Sequence, residues 1–233
     1  MISDSSSSRA AGGATWALVV AAGGGERMRS DLPKAFVPFH GRPLLAESVE
    51  RLDLCPWVDA VVVAVSEAWV EPAILLTEEL AASKVAAVVQ GGASRADSVR
   101  LALADVPPEA LVVLVHDAAR PLLDDAVVER VLGALGEGWD GVVPAVPVAD
   151  TLKRVDRGAV LETVSRDGLV AVQTPQAFPA ATLRAALAGD LAGATDCASL
   201  VERAGGRVGV VEGDPRLAKV TTPEDLALIE SWL

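Results

Sequence analysis

A doubly wound α/β fold with a mostly parallel sheet is predicted by three observations. Short apolar runs recur at 17–22, 59–66, 85–92 and 111–118. Segments with apolar residues at helical spacing separate them, and glycine-rich or charged turns follow several of them. A run that is apolar on both faces suits a strand buried between two helix layers. Strand–helix alternation implies parallel pairing through right-handed crossovers. Ligands of such sheets sit beyond the carboxyl ends of the strands.

The first run, ALVVAA at 17–22, is too short to span a membrane and right for a buried strand. It breaks into Gly23, Gly24 and Gly25, with Arg27, Arg29 and Lys34 following. Glycines let backbone N–H groups approach a ligand closely. Those groups favour anions, and Arg27 and Lys34 add full charges. The stretch reads as a cradle for a nucleoside triphosphate; the alternative is an ordinary α/β turn that binds nothing. It is not a Walker A loop, because no Gly-Lys-Ser/Thr closes it. Met28 stands where a dinucleotide fingerprint has its third glycine, which weighs against a nicotinamide-dependent dehydrogenase.

Residues 43–53 carry apolar positions at helical spacing, 59–66 form a buried strand, 69–81 a helix and 85–92 another strand. A helix over 94–104, a third buried strand over 111–118 and a helix over 124–135 follow. The strand at 140–148 contains two prolines, which places it at a sheet edge or bend. Between 149 and 172 the chain becomes polar, with two short strand-like runs and turn signals at 156–158 and 167–168. This predicts a β-hairpin arm. An extended arm cannot bury both faces alone and is expected to pack on a second subunit. Helices near 180–188 and 195–204 and a strand at 207–212 come next. The last is a short helix opened by Thr222 as N-cap with Pro223 at its first position.

The 233 residues fit one nucleotide-binding-sized domain, read as 15–233 after a polar, small-residue tail at 1–14 that lacks a signal peptide's apolar stretch. Net charge −12 disfavours nucleic-acid or anionic-membrane binding and makes local cation clusters informative. Cys55 and Cys197 form no metal-binding spacing and read as buried small hydrophobes of a reducing cytoplasm. Lys34 and Lys219, two of only four lysines, sit beside turn residues at strand ends.

Further candidates lie at other strand ends. Gly91-Gly92-Ala93-Ser94-Arg95-Ala96-Asp97-Ser98 is a second backbone-rich anion or base site, or a plain strand–helix turn. His116-Asp117-Ala118-Ala119-Arg120 ends a buried strand. Asp117 is placed to bind a hydroxyl or a phosphate-bound cation and Arg120 a phosphate; an Asp117–Arg120 ion pair is the structural alternative. His116 is a possible base, though a packed, hydrogen-bonded role is the commoner one. Thr151, Lys153 and Arg166 lie on or beside the arm, as ligands or as solvated charge. Thr174 contacts a ligand or caps its turn, and Thr195-Asp196 caps a helix. Lys219 is a phosphate ligand or a surface charge.

Seven segments occur in order: AAGGGERM with PKAF, GGASRADSV, VHDAARP, PVADTLK, QTPQAF, TDCASLVE and KVTTPEDL. Together, over about 16–233, they resemble the 2-C-methyl-D-erythritol 4-phosphate cytidylyltransferases of non-mevalonate isoprenoid synthesis. The resemblance implies a homodimer that transfers CMP from CTP to methylerythritol phosphate with Mg²⁺ held mainly by the CTP phosphates. It makes Arg27 and Lys34 the transition-state stabilisers and gives CTP contacts to the backbone of Ala21, Ala22, Gly23 and Gly25. Gly92, Ala93 and Ser98 would read cytosine and ribose, with Arg95 supporting their loop. Arg166 and Lys219 would position methylerythritol phosphate, Asp117 would meet substrate hydroxyls or the ribose side, and Arg120, Thr151 and Thr174 would complete that pocket. Thr151 and Arg166 would enter the neighbouring subunit's site. No protein metal ligand is implied. A cytidylyltransferase for another polyol phosphate, such as ribitol 5-phosphate, is the nearest alternative; a non-catalytic nucleotide sensor is disfavoured because Arg27 and Lys34 are both kept. Cys197, Leu217 and Ser165 replace residues the family usually has as acid, asparagine and aspartate.

Overall fold

The computed structural model describes residues 14–233; the predicted tail at 1–14 lies outside them except for Ala14. The chain begins with β1 (Thr15–Val20), a two-residue pair β2 (Pro38–Phe39) and β3 (Arg42–Pro43), then α1 (Leu44–Leu54). It continues through β4 (Ala60–Val65), α2 (Val70–Glu79), β5 (Val85–Gln90), α3 (Arg95–Leu103), β6 (Val112–Asp117) and α4 (Asp125–Leu135). Next come β7 (Gly141–Pro147), β8 (Leu152–Asp156), β9 (Ala159–Val164), β10 (Val170–Val172) and β11 (Gln176–Pro179). The chain closes with α5 (Ala180–Leu187), α6 (Cys197–Arg203), β12 (Val208–Glu212) and α7 (Pro223–Glu230).

Eight strands form one mixed sheet in the order β10-β7-β11-β6-β1-β4-β5, with β12 beside β7. β1 pairs in parallel with β4 and β6, and β4 with β5, as the apolar runs imply. Alternate residues of each strand feed opposite faces. Ala17 and Val19 pack with α1, α2 and α4 on one face, while Leu18 packs with α3, α5 and α6 on the other. A third apolar cluster joins Met28, Phe39, Val220 and Ile229, tying the glycine loop and the Lys219 segment to α7.

The position of β7 corrects an expectation. Its prolines do not put it at an edge: β12 pairs along one side, and β10 and β11 pair along the other. The carbonyl of Pro144 accepts from Gln173 N–H, and a residue's N–H and C=O point to the same side of a strand. The donor that Pro144 lacks therefore faces Gln173, in the break between β10 and β11, and points away from β12.

A hairpin forms within the predicted arm: β8 and β9 pair antiparallel around Arg157-Gly158, whose φ values are +46° and +83°, whereas β10, also inside the predicted 149–172, pairs with β7 in the main sheet. The two positive φ angles match the twist of a tight hairpin turn. Caps fall at Asp196 and Thr222 as their side chains predict, and Asp124 caps α4; each accepts a backbone N–H, and Thr222 forms a reciprocal box with Asp225. No helix among the described residues is long and apolar enough to cross a membrane.

Candidate active site

The strand order reverses at β1: the chain moves to β4 and β5 on one side, then returns through α3 to β6 on the other. That reversal opens a crevice at the carboxyl ends of β1 and β6. Val20 pairs with Asp117 in register, so the glycine loop and the Asp117–Arg120 turn leave the sheet side by side. Between them, closed by the loop after β5, lies a cavity of about 290 Å³. Ala21, Ala22, Gly23, Lys34, Gly92, Ala93, Arg95, Ser98, Asp117 and Lys219 line it. Gly24, Ala35, Ser94, Ala118 and Ala119 also line it. These were not singled out from sequence, although each lies inside a motif that was.

Two glycines hold the loops together. Gly25 has φ +70°, and a Cβ there would lie 2.6 Å from Lys34 Cβ, so the loop packs directly on the lysine stem. A Cβ on Gly91 would lie 2.4 Å from Ala22 Cβ and 2.8 Å from Ser98 Oγ. Gly23 and Gly24 differ: a Cβ on either would meet nothing within 4 Å, so open space faces them. The Ser98 hydroxyl accepts from Gly92 N–H at 3.0 Å and donates to Ser94 O at 2.9 Å, so it shapes the second loop from within.

Asp117 is the hub of the site's charge. Its carboxylate accepts from Arg95 Nε at 2.8 Å and from Lys219 Nζ at 2.6 Å. Burial acts to raise its pKa, but the Arg95 and Lys219 charges outweigh it and hold the carboxyl well below the usual range. The Asp117–Arg120 pair considered from sequence gives way to these two partners. Arg120 instead donates from Nη1 to Leu217 O at 2.5 Å and from Nη2 to Val172 O at 3.4 Å. Its buried Nε has no partner among the described residues, and burial is the main influence lowering its pKa.

Lys34 sits among cations. Burial first, then the charge of Lys219, with smaller repulsion from Arg27 and Arg120, lowers its pKa from 10.5 to about 8. The site is thus a pocket of crowded positive charge against a single wall carboxylate, an arrangement suited to a polyanion.

Other predicted residues lie outside the cavity wall. Arg27 is exposed on the glycine loop. Thr174 is buried, its hydroxyl engaged by Asp117 N–H and by His116. Thr151 and Arg166 are exposed at the root of the arm, where Arg166 donates to the carbonyls of Val148 and Ala149. The three departures from the family pattern are accommodated. Cys197 is buried and accepts from Arg95 Nη1 at 3.7 Å, Leu217 is buried in the core, and Ser165 hydrogen-bonds Asp167. Lys219 is oriented by Asp117, so the leucine at 217 leaves its ammonium held.

A family model described as 2-C-methyl-D-erythritol 4-phosphate cytidylyltransferase matches residues 15–233. The chain belongs to this family. The cytidylyltransferase of that name from Nocardia farcinica is 50% identical over 218 residues, covering 93% of each chain. That from Saccharopolyspora erythraea is 50% identical over 224 residues, covering 93% of this chain and 98% of the relative. A crystal structure of the Thermus thermophilus cytidylyltransferase matches with a TM-score of 0.76 at 33% identity, covering 92% of this chain and 96% of its own. The family model spans the glycine loop, the Asp117 turn, the arm and Lys219 together.

Proposed function

We propose that the chain transfers CMP from CTP to 2-C-methyl-D-erythritol 4-phosphate, giving 4-CDP-2-C-methyl-D-erythritol and pyrophosphate. The observation that carries this reading is the convergence of open glycine backbone, Lys34 and the Asp117–Lys219 pair on one cavity at the sheet's switch point. A substrate phosphate oxygen attacks the α-phosphorus of CTP in line. The new P–O bond forms as the bond to the β-phosphate oxygen breaks, and pyrophosphate leaves with the electron pair. The nucleophile is already ionised at neutral pH, so no general base is called for.

The protein's task is alignment and charge compensation. The backbone of Ala21, Ala22, Gly23 and Gly25 cradles the triphosphate, and Gly92, Ala93 and Ser98 form the base and ribose side with Arg95 behind them. Arg27 and Lys34 offset charge at the five-coordinate phosphorus. Lys219 receives the methylerythritol phosphate, exchanging Asp117 for it, while Asp117 turns to hydroxyls; Arg120 and Thr174 back that pocket. Among the described residues no cluster of three or more His, Cys, Asp or Glu could hold a metal, and Asp117 is the one carboxylate on the wall. That donor set fits Mg²⁺ carried chiefly by the CTP phosphates, where it would neutralise triphosphate charge.

We further propose that residues 15–233 act as one nucleotidyltransferase domain in a homodimer built through the arm, with Thr151 and Arg166 entering the neighbour's site. Supporting this, Val155, Val160 and Leu161 of β8 and β9 are about 60% exposed on a two-stranded ribbon. The free, buried cysteines suit a reducing cytoplasm. The deciding assay is pyrophosphate release with CTP and each of methylerythritol phosphate and ribitol 5-phosphate, repeated with the other three nucleotides. Preference for methylerythritol phosphate and CTP is expected; preference for ribitol phosphate would sink the reading.

A further inference from the structure

His116, the residue before the end of β6, is fully buried, and the proposed chemistry gives it no proton to move. Its hydrogen bonds nevertheless span the turn that carries two charged groups of the site. Asp117 N–H donates to Thr174 Oγ1 at 3.1 Å, and Thr174 Oγ1 lies 3.1 Å from His116 Nδ1. On the far side of the ring, Nε2 lies 3.1 Å from the carbonyl oxygen of Arg120. A carbonyl only accepts, so the ring hydrogen sits on Nε2. Nδ1 is then an acceptor and takes the threonine hydroxyl hydrogen. One neutral tautomer satisfies every member of the chain, which runs in a single direction from Asp117 N–H to Arg120 C=O.

An imidazolium would break this arrangement. Its second N–H would face the threonine oxygen and displace the hydroxyl hydrogen from its acceptor. Burial first of all, against Asp117 and with Arg120 and Arg95, brings the His116 pKa down to about 4, in keeping with a neutral ring. The turn itself is closed by Arg120 N–H donating to Asp117 O at 2.9 Å.

We propose that His116 is a positioning residue: through Thr174 on one side and the Arg120 carbonyl on the other, it sets the separation of the Asp117 carboxylate and the Arg120 guanidinium. Lys219, held by Asp117, and Arg120 both belong to the second-substrate side, so the imidazole acts mainly there; through Arg95 it reaches the base-and-ribose loop only at one remove, and it leaves the glycine loop alone. The kinetic half of this inference rests on the proposed activity; the hydrogen-bond chain does not.

Two measurements test it. The chain has two histidines, so long-range ¹H–¹⁵N spectra of histidine-labelled protein, with His40→Gln for assignment, read the tautomer directly. At pH 7 His116 should be neutral with its hydrogen on Nε2; the other tautomer or an imidazolium overturns the proposal. In steady-state pyrophosphate release, His116→Gln keeps a donor for Arg120 and should stay within about tenfold of the parent. His116→Phe, which has neither donor nor acceptor, should lose about 100-fold in kcat/KM for methylerythritol phosphate, the scale of a small misplacement of reacting groups, with a smaller change in KM for CTP. Should the phenylalanine variant yield too little folded protein, His116→Asn, with an acceptor for Thr174 but an amide too short to reach the Arg120 carbonyl, should lose about tenfold or more. Variants that lower thermal stability yet keep both kinetic constants in the folded protein would reduce His116 to a packing role. A parent enzyme without activity would sink the proposed function, while the spectra would still decide the hydrogen-bond chain.

Discussion

The Lys219 ammonium lies 2.6 Å from one oxygen of the Asp117 carboxylate, across 102 residues of sequence, while Arg95 takes the other oxygen at 2.8 Å. One buried carboxylate thus holds the cation proposed to receive a substrate phosphate and the cation proposed to support the second loop. Asp117→Asn should destabilise the protein by roughly 3 kcal/mol, since it leaves Arg95 buried without its counter-charge. Most of that loss belongs to Arg95, because Lys219 is 39% exposed and water screens it. Denaturant midpoints at pH 7 check this. The sign with pH follows from the depressed Asp117 pKa: the contribution is full above the ordinary value of 3.8 and is lost as pH falls from there towards the folded-state pKa. The Asn variant should lack that acid-limb dependence.

Lys34 should make nucleotide binding sensitive to alkaline pH. Its folded-state pKa is about 8, so CTP affinity should weaken as pH rises through 8, read by calorimetric titration from pH 6.5 to 9.5. Lys34 also opposes folding near neutrality. A lysine pKa below its unfolded value means that the unfolded chain binds more protons between about 8 and 10.5, so stability rises with pH across that window. Lys34→Met should therefore raise the denaturation midpoint at pH 7 while lowering kcat by about 100-fold or more, with a smaller effect on KM for CTP. Equal losses in kcat and CTP binding would contradict a transition-state role.

The glycines of the first loop should separate into two kinds. Gly25→Ala places a Cβ 2.6 Å from Lys34 Cβ on a residue with φ +70°. It should cost about 1–2 kcal/mol of stability and lower kcat together with it. Gly23→Ala meets no protein atom within 4 Å, so its melting temperature should stay near the parent's while KM for CTP rises. A Gly23→Ala protein with unchanged KM would show that the open space beside Gly23 is not the triphosphate's.

Subunit mixing tests the arm. Arg27→Ala and Arg166→Ala proteins, each inactive alone, should recover about a quarter of the parent activity when refolded together in equal amounts. Half of the dimers are then mixed, and one of the two sites in each regains both arginines. No recovery from mixed dimers shown to form would place Arg166 in its own subunit's site.

Much of the molecule was legible before any coordinates. Uniformly apolar runs marked the parallel strands β1, β4 and β6, because a strand covered on both faces must be apolar on both. The hairpin was legible from Arg157-Gly158, and two helix starts from Asp196 and Thr222, because turns and caps depend on residues a few positions apart. The loops lining the cavity were found for the same reason: a strand, glycines and a following cation are contiguous. The interior place of β7 was not legible, since the harmlessness of Pro144 depends on the break between β10 and β11 facing it.

The sequence by itself determined which local segments could bind a polyanion and which family they belong to. Only the tertiary structure decided how the charges are shared. Nothing near Asp117 in the chain says that its carboxylate passes over Arg120 for Arg95 and Lys219, or that His116 faces Thr174. Those pairings join residues 22, 102 and 58 positions apart, and they are chosen by the register of β1 with β6 and the return of the chain after β12. Partner choice between distant charges is settled by burial and geometry once the sheet is assembled, and no short-range pattern encodes it.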